Sequence, residues 1–298
     1  MRQPSEAALP SWPLPGPIVI GGTGGSGTRA VAAVVRRAGL WIGDNLNVSL
    51  DAIDFGLFSN RWIDLFLACT DRWRLPLDGD DRTAMLAELA PLLERHLAPL
   101  TAGEPGHWTA WGWKEPRSMY LLPLWDSLFP SLRFLHVVRD GRDMALSANQ
   151  NQLRKHGVAM LGTGLAEQPE AVRSIALWSR ANAMVAEFAA RRLGTRYLRI
   201  RFEDLCCHPA VVVGQVLAFA NLRADPRALA AELIEPPASL GRWRRCDRHL
   251  LATLHREAAA TLASFGYPVP WRAHLAAARR RLIQALAHRW LVGAPRFL

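Results

Sequence analysis

A chain of 298 residues, half of them hydrophobic, is long enough to bury a large core, which argues against an intrinsically disordered protein. The formal net charge of +10 favours anionic partners such as nucleotides, sulfated or phosphorylated substrates, nucleic acids or lipid surfaces. The four cysteines lack CxxC spacing, which argues against a disulfide framework or a zinc site. No secretory signal and no apolar run of membrane-spanning length is present, so we expect a cytoplasmic protein.

The predicted elements alternate between strands and helices along the chain. Residues 1–16 are rich in proline and predict a flexible leader, and the apolar run at 17–20 predicts the first strand. Residues 50–105 show helical spacing without a strand pattern, which predicts a helical insertion, and residues 247–298 are also predicted to be helical. Further strand patterns occupy residues 107–113, 132–138 and 195–201. This order predicts a single α/β domain with a central parallel sheet covered by helices on both faces.

A glycine-rich loop, GGTGGSGT at residues 21–28, joins the first strand to the first helix. Free N–H groups at a helix N-terminus bind phosphate, and glycine lets the backbone approach closely. The loop has neither the GK[ST] ending of a nucleoside triphosphate loop nor the GxGxxG pattern of a dinucleotide loop. It therefore predicts a phosphate site built from Ser26, Thr28 and Arg29, with a tight packing turn as the alternative.

A second motif, FLHVVRDGRDMALSAN, occupies residues 134–149. Its strand is predicted to end at Arg139, and Ser147 is predicted to lie two turns into the next helix. An arginine can bind phosphate through two parallel hydrogen bonds. The pair predicts a second phosphate site.

Together these stretches resemble the sulfotransferases that use 3′-phosphoadenosine 5′-phosphosulfate (PAPS). The triplet Gly27-Thr28-Arg29 is most similar to the glycan-modifying branch. Lys114-Glu115-Pro116 is similar to the K-x-P segment of glycan and protein-tyrosine sulfotransferases, and RFEDL at 201–205 to their R-[YF]-E-D-L strand end. LGRWRR at 240–245 resembles their late loop, which closes on the nucleotide. The resemblance implies a three-layer P-loop-like α/β fold.

The resemblance also implies the donor site. PAPS is implied as the sulfuryl donor, 3′-phosphoadenosine 5′-phosphate (PAP) as the product, and no metal is required. The first loop is implied to bind the 5′-phosphosulfate, and the arginine and serine of the second motif to bind the 3′-phosphate. The residues implied to bind the nucleotide are Gly25, Ser26, Gly27, Thr28, Arg29, Arg139, Ser147, Gly241, Arg242 and Trp243.

The predicted catalytic residues follow from the resemblance and one departure from it. Gly25 stands where many of these enzymes have a lysine or arginine that neutralises the bridging oxygen. Lys114 and Arg29 are therefore predicted to lie at the sulfuryl group and the leaving oxygen. Asp44, the first acid after the first helix, is predicted to be the general base, with Asp51 and Asp54 as alternatives.

The identity of the acceptor stays open: it is a glycan, another small molecule such as a phenol, or a lipid. The group that accepts the sulfuryl group is a hydroxyl or an amine. An aromatic, partly basic cleft is predicted from Trp62, Trp73, His107 and Trp108. Trp178 is a candidate for stacking on adenine, with a place in the core as the alternative.

Two other functions stay open. A small-molecule kinase would share the strand, loop and helix, although the GK[ST] ending is missing. A module that binds nucleic acid or a membrane surface would use the positive charge and the arginine-rich C-terminal helix at about 271–298. The sulfotransferase interpretation expects no nucleic-acid partner and allows peripheral membrane contact through that helix.

Overall fold

The computed structural model describes residues 15–69, 79–102 and 107–270. Nearly all of the predicted leader and the arginine-rich C-terminal helix lie outside these residues, so neither prediction is tested. The described chain alternates strands and helices, as the sequence predicts. The α/β fold class is confirmed.

Five parallel strands form the central sheet of the described residues, in the order β2-β3-β1-β4-β5. The strands are β1 (Ile18–Gly22), β2 (Leu40–Trp41), β3 (Ala110–Lys114), β4 (Arg133–Val138) and β5 (Tyr197–Arg201). Four of them fall where the sequence predicts strands, and β2 is a two-residue strand that it does not predict. The register sets Lys114 opposite Ile20 and Val137 opposite Gly22, so the ends of β1, β3 and β4 lie side by side.

Helices cover both faces of the sheet. They are α1 (Thr28–Arg37), α2 (Ile53–Cys69), α3 (Gly79–Thr101), α4 (Leu122–Leu128), α5 (Gly141–Ala145), α6 (Asn151–Leu161), α7 (Glu170–Phe188), α8 (Phe202–Cys207), α9 (Pro209–Ala220), α10 (Pro226–Leu233) and α11 (Arg248–Ser264). Successive side chains of a strand point to opposite faces. Ile18 and Ile20 of β1 accordingly pack with α1 and α9, whereas Val19 packs with the helices of the insertion. The two cores give the three-layer arrangement.

The predicted helical insertion is present as α2 and α3. Its aromatic side chains face the sheet, where Phe55 stacks on Trp113 with ring centroids 4.3 Å apart. Trp125 meets Trp113 edge-on at 5.1 Å, and both tryptophans are fully buried. Aromatic pairs of this kind add to the free energy of burial. The insertion is therefore part of the core rather than a loosely attached lobe.

Candidate functional site

The predicted functional residues meet at the carboxyl edge of the sheet. The glycine loop follows β1, Lys114 ends β3 and Arg139 follows β4. Strands β2 and β3 lie on one side of β1, and β4 and β5 lie on the other, so the strand order reverses at β1. Ligands of such sheets bind outside the carboxyl ends of the strands at the point of reversal. The topology thus brings the two predicted phosphate motifs and Lys114 to one edge.

The glycine loop leaves the N-terminus of α1 free for an anion. Gly25 and Gly27 have φ of 90° and 97°, in the left-handed region that glycine tolerates. No side chain caps α1, and its first turn has no acidic residue. The hydroxyl of Ser26 is buried and has no partner in the described part of the chain. Uncapped N–H groups and an unpaired buried hydroxyl fit a bound phosphate.

Substituting Gly27 by alanine is expected to destabilise the fold. An added Cβ would lie 2.1 Å from the ring of Phe202, and φ of 97° strains any side chain. The strain alone costs about 1–3 kcal/mol of unfolding free energy, which urea denaturation measures. Gly164→Ala is the matched control, because no atom lies within 4 Å of its added Cβ. Equal stability of the two variants would contradict this account of the loop.

The position of the missing loop lysine has a structural explanation. Gly25 adopts a left-handed conformation, so a lysine there would be strained. A buried lysine instead comes from β3: the ammonium of Lys114 donates to the Ser49 carbonyl at 2.9 Å and contacts the carboxylate of Asp51. Burial lowers the pKa of Lys114, the charge of Asp51 opposes this shift, and the charge of Arg29 adds a smaller lowering. The charge of Arg29 is therefore close enough to Lys114 to influence its pKa.

The three candidate bases lie in two different places. Asp51 contacts Lys114 and lines a cavity beside Gly24 of the glycine loop. Asp44 and Asp54 line a separate cavity together with His96. Asp44 accepts a hydrogen bond from the backbone of Asn45, as a turn residue does. Of the three carboxylates, only Asp51 adjoins both the loop and Lys114.

Arg139 is buried at the end of β4, and its guanidinium makes hydrogen bonds and a contact with an aromatic ring. Its Nη2 donates to Asp143 at 3.1 Å and to the Ser239 hydroxyl at 3.2 Å, and its guanidinium lies over the ring of Phe202. Its Nη1 makes no hydrogen bond within the described residues, which leaves one donor nitrogen for a ligand. The sequence did not single out Asp143, although an acid four residues after an arginine is a detectable signal.

Ser147 lies in a turn and not two turns into a helix, so that prediction is wrong. Helix α5 ends at Ala145, because the amide of Gln150 donates to the carbonyls of Met144 and Ser147. The Ser147 hydroxyl accepts a hydrogen bond from the backbone N–H of Asn149 at 3.2 Å. It keeps its own proton for donation to an anion.

The late loop at 240–245 is hydrogen-bonded to the second motif at 134–149. Asp143 accepts hydrogen bonds from the backbone N–H groups of Gly241 at 2.7 Å and Trp243 at 3.1 Å. Arg242 donates to the carbonyl of Leu146, the neighbour of Ser147, at 3.1 Å. The structure therefore brings Gly241, Arg242 and Trp243 to the predicted 3′-phosphate residues.

The RFEDL strand end joins the two phosphate motifs. The ring of Phe202 packs against Gly27 of the glycine loop and under the guanidinium of Arg139. Glu203 accepts a hydrogen bond from the backbone of Asp140 at 2.9 Å and another from the hydroxyl of Tyr267 at 2.9 Å. Burial raises the pKa of Glu203. Phe202 and Glu203 therefore hold the glycine loop and the Arg139 motif in place through these contacts.

Within the described residues, Trp62, His107 and Trp108 do not form the predicted aromatic cleft. Trp62 is buried and donates to Glu88, while His107 and Trp108 precede β3 and so lie toward the opposite edge of the sheet. Trp178 is buried and donates to the Arg139 carbonyl at 2.9 Å, which supports its place in the core. Trp73 lies outside the described residues. Helical spacing alone cannot distinguish a cleft-lining aromatic residue from a buried one.

No three histidine, cysteine, aspartate or glutamate side chains in residues 15–69, 79–102 and 107–270 are grouped so as to hold a metal ion. Over the same ranges, every helix is too short or too polar to traverse a bilayer.

A protein-family model described as the sulfotransferase family matches residues 17–226, about two thirds of the chain. The chain belongs to the sulfotransferase family. The match contains the glycine loop, the K-x-P segment, the Arg139 motif and RFEDL, and it ends before the late loop. Family membership supports a sulfotransferase activity. No curated protein sequence gives a significant match.

Several solved sulfotransferase structures are similar to this chain over most of its length. The sulfotransferase domain of the Synechococcus PCC 7002 olefin synthase is 16% identical, with 88% of this chain and 98% of that one covered at a TM-score of 0.51. The sulfotransferase domain from the curacin biosynthetic pathway is 18% identical, with coverage of 86% and 99% and a TM-score of 0.46. A Mycobacterium avium sulfotransferase is 14% identical, with coverage of 87% and 79% and a TM-score of 0.48. At such identities the likeness concerns the fold alone.

Proposed function

We propose that this family member transfers the sulfuryl group of PAPS to the hydroxyl of a small-molecule or glycan acceptor. The observation that carries the proposal is the pairing of an uncapped, lysine-free phosphate loop with the buried Lys114 at the end of the adjacent strand. In this arrangement one loop binds the 5′-phosphosulfate while the lysine reaches the bond that breaks. A kinase loop would carry its lysine immediately before Thr28, where this chain has Gly27.

The donor site has two parts. The N–H groups of Gly25, Gly27 and Thr28 and the unpaired hydroxyl of Ser26 would hold the 5′-phosphosulfate, with Arg29 at its outer side. The N–H of Ser26 itself donates to the Thr23 carbonyl at 3.0 Å. Arg139 and Ser147 would hold the 3′-phosphate, and the loop of Gly241, Arg242 and Trp243 would close over it. Phe202 contacts both parts, which fits a single nucleotide spanning them.

Arg139→Ala is expected to remove the preference for a 3′-phosphorylated nucleotide. The loss of a charge-assisted pair predicts a fall in PAP affinity of about 10- to 100-fold, with little change for 5′-AMP, which lacks the 3′-phosphate. Calorimetric titration of the wild type and the variant with both nucleotides measures the difference. Arg139→Lys, which keeps the charge and loses the fork, should retain an intermediate preference.

A general loss of folding would weaken the binding of both nucleotides equally. A variant that keeps the full preference for PAP over AMP would contradict the role of Arg139.

The chemistry requires alignment, positive charge and a proton acceptor. When bound, PAPS supplies an activated sulfuryl group. The acceptor oxygen forms a bond to sulfur, the bond from sulfur to the 5′-phosphate oxygen breaks, and PAP leaves with that electron pair. Lys114 has three N–H donors and two oxygen partners in the described chain, so one donor is left for the transferred group or the leaving oxygen.

We infer that Asp51, rather than Asp44, takes the acceptor proton. Asp51 lies beside Gly24 of the loop and contacts Lys114, whereas Asp44 belongs to a cavity that contains neither residue. A general base must be within hydrogen-bond reach of the proton that it abstracts, and this requirement precedes any consideration of its pKa.

The rate of transfer is expected to fall on the alkaline side at a pH below 10.5, the ordinary lysine value. Burial lowers the pKa of Lys114, so the charge of its ammonium is lost as the pH rises through this lowered value. Lys114→Arg, which stays charged, should move the alkaline fall to higher pH. A pH profile of kcat/KM for both proteins tests this, and identical alkaline limbs would contradict it.

A further inference from the structure

A polar cavity lies beside the glycine loop, next to Asp51. Its charged lining side chains are Asp51, Glu115, Arg117 and Lys155, and amides line the rest together with Gly24 and Pro116. Because Asp51 and the loop border it, the cavity is where an acceptor would approach the sulfuryl group. Among the described residues, Pro116 is the only one with an apolar side chain that lines this cavity.

Glu115, one of the side chains that line this cavity, has an unpaired carboxylate oxygen. Its side chain is 4% exposed, and its Oε1 accepts a hydrogen bond from Nε of Arg117 at 2.8 Å. Its Oε2 is buried and has no partner in the described part of the chain. A buried acceptor without a partner is costly, so a ligand that donates a hydrogen bond there gains the corresponding free energy.

Arg117 cannot turn to cover that second oxygen. Its Nη2 donates to the Gly56 carbonyl at 3.0 Å, and its Nη1 contacts the amide oxygen of Asn60. An added Cβ at Gly56 would lie only 3.3 Å from Nη2, so α2 packs tightly against the guanidinium. The orientation of the Glu115 carboxylate is therefore fixed, with one oxygen left over.

The other polar side chains that line the cavity suit hydroxyl groups. Asn149, Asn151 and Gln152 bring amides, which both donate and accept hydrogen bonds. Lys155 adds an ammonium that contacts Asn60 at 2.9 Å. A planar phenol or a polyene would instead need a flat apolar slot, and the aromatic residues of the insertion are packed toward the sheet.

We propose, on the basis of the proposed function, that the acceptor is a sugar-like compound with several hydroxyl groups. Glu115 Oε2 accepts a hydrogen bond from a hydroxyl adjacent to the one that is sulfated. Glu115 is thus an acceptor-binding residue that sets specificity, and the proton of the sulfated hydroxyl still passes to Asp51.

The test measures PAP release from PAPS with D-glucose, N-acetylglucosamine and trehalose, and with 2-naphthol as the phenol probe. At least one sugar is expected to react about tenfold faster than 2-naphthol. Glu115→Gln replaces the free oxygen by an amide NH₂ group, and it is expected to raise the sugar KM about 10- to 100-fold with a smaller change in kcat. Glu187→Gln, an exposed site on α7, is the matched control and should match the wild type.

Several outcomes would overturn the proposal. Preferred transfer to 2-naphthol, transfer to none of the sugars, or an unchanged sugar KM in Glu115→Gln would each do so. PAP binding is measured in parallel, because failure of the wild type to bind PAP contradicts the proposed function instead. Should Glu115→Gln fail to fold, the acceptor comparison on the wild type decides alone.

Discussion

Replacing Lys114 by alanine is expected to lower kcat for sulfuryl transfer by about 10²- to 10³-fold, the range for removal of one preorganised charge at a reacting group. The ammonium is buried, and it lies at the end of the strand next to the phosphate loop. The chain has one other lysine, Lys155 on α6, and the loop has none. A stopped assay of PAP formation from PAPS gives kcat directly.

Two comparisons separate a catalytic loss from a structural one in Lys114→Ala. The melting temperature reports whether the unpaired Asp51 damages the fold. Arg37→Met is the matched control, because it removes a cation that pairs with Glu232 on the surface and should leave kcat unchanged. A Lys114→Ala protein that folds and keeps kcat within about threefold of the wild type would contradict the assignment.

Asp51→Asn is expected to lower kcat by about 10²-fold or more, within the range that general bases contribute. Asparagine has the same size and its oxygen can still accept from Lys114, whereas it cannot take the acceptor proton. The measurement is the same PAP assay at saturating PAPS. Binding of PAP should change little, since Asp51 faces the acceptor cavity.

Asp44→Asn is the matched control for Asp51→Asn. It makes the same chemical change in the neighbouring cavity, beside His96. Activity close to the wild type is expected for Asp44→Asn. A large loss of kcat in Asp44→Asn, together with an active Asp51→Asn, would show that the base is Asp44. That result would contradict the proposal that Asp51 takes the acceptor proton.

The sequence predicts most of the fold because the strand patterns are strong. The run ending at Val138 is mostly apolar, the run ending at Arg201 places Tyr197, Leu198 and Ile200 among arginines, and both form strands of the parallel sheet. The two-residue strand β2 is too short to produce any periodicity. The helical insertion follows from the spacing of its apolar residues, whereas the side on which its tryptophans are buried depends on packing against the sheet.

The candidate site is predictable at its backbone motifs and less so at its contacts. Glycines after a strand predict the phosphate loop. The strand pattern at 132–138 likewise predicts that Arg139 lies at a strand end. The choice between Asp44 and Asp51 depends on how the chain after β2 folds back, with the backbone N–H of Ala52 donating to the Lys114 carbonyl at 2.8 Å. The end of α5 depends on a side-chain contact from Gln150, which no periodicity signals. Such long-range and side-chain contacts are invisible to sequence patterns.

The proposed donor site binds a 3′-phosphorylated adenine nucleotide. Calorimetric titration of the wild-type protein with PAP and, in parallel, with ATP tests this claim. Because Arg139 and Ser147 are proposed to bind a 3′-phosphate, which ATP lacks, PAP is expected to bind about tenfold tighter or more. Equal affinity for the two nucleotides, preference for ATP, or no binding of PAP would contradict the claim.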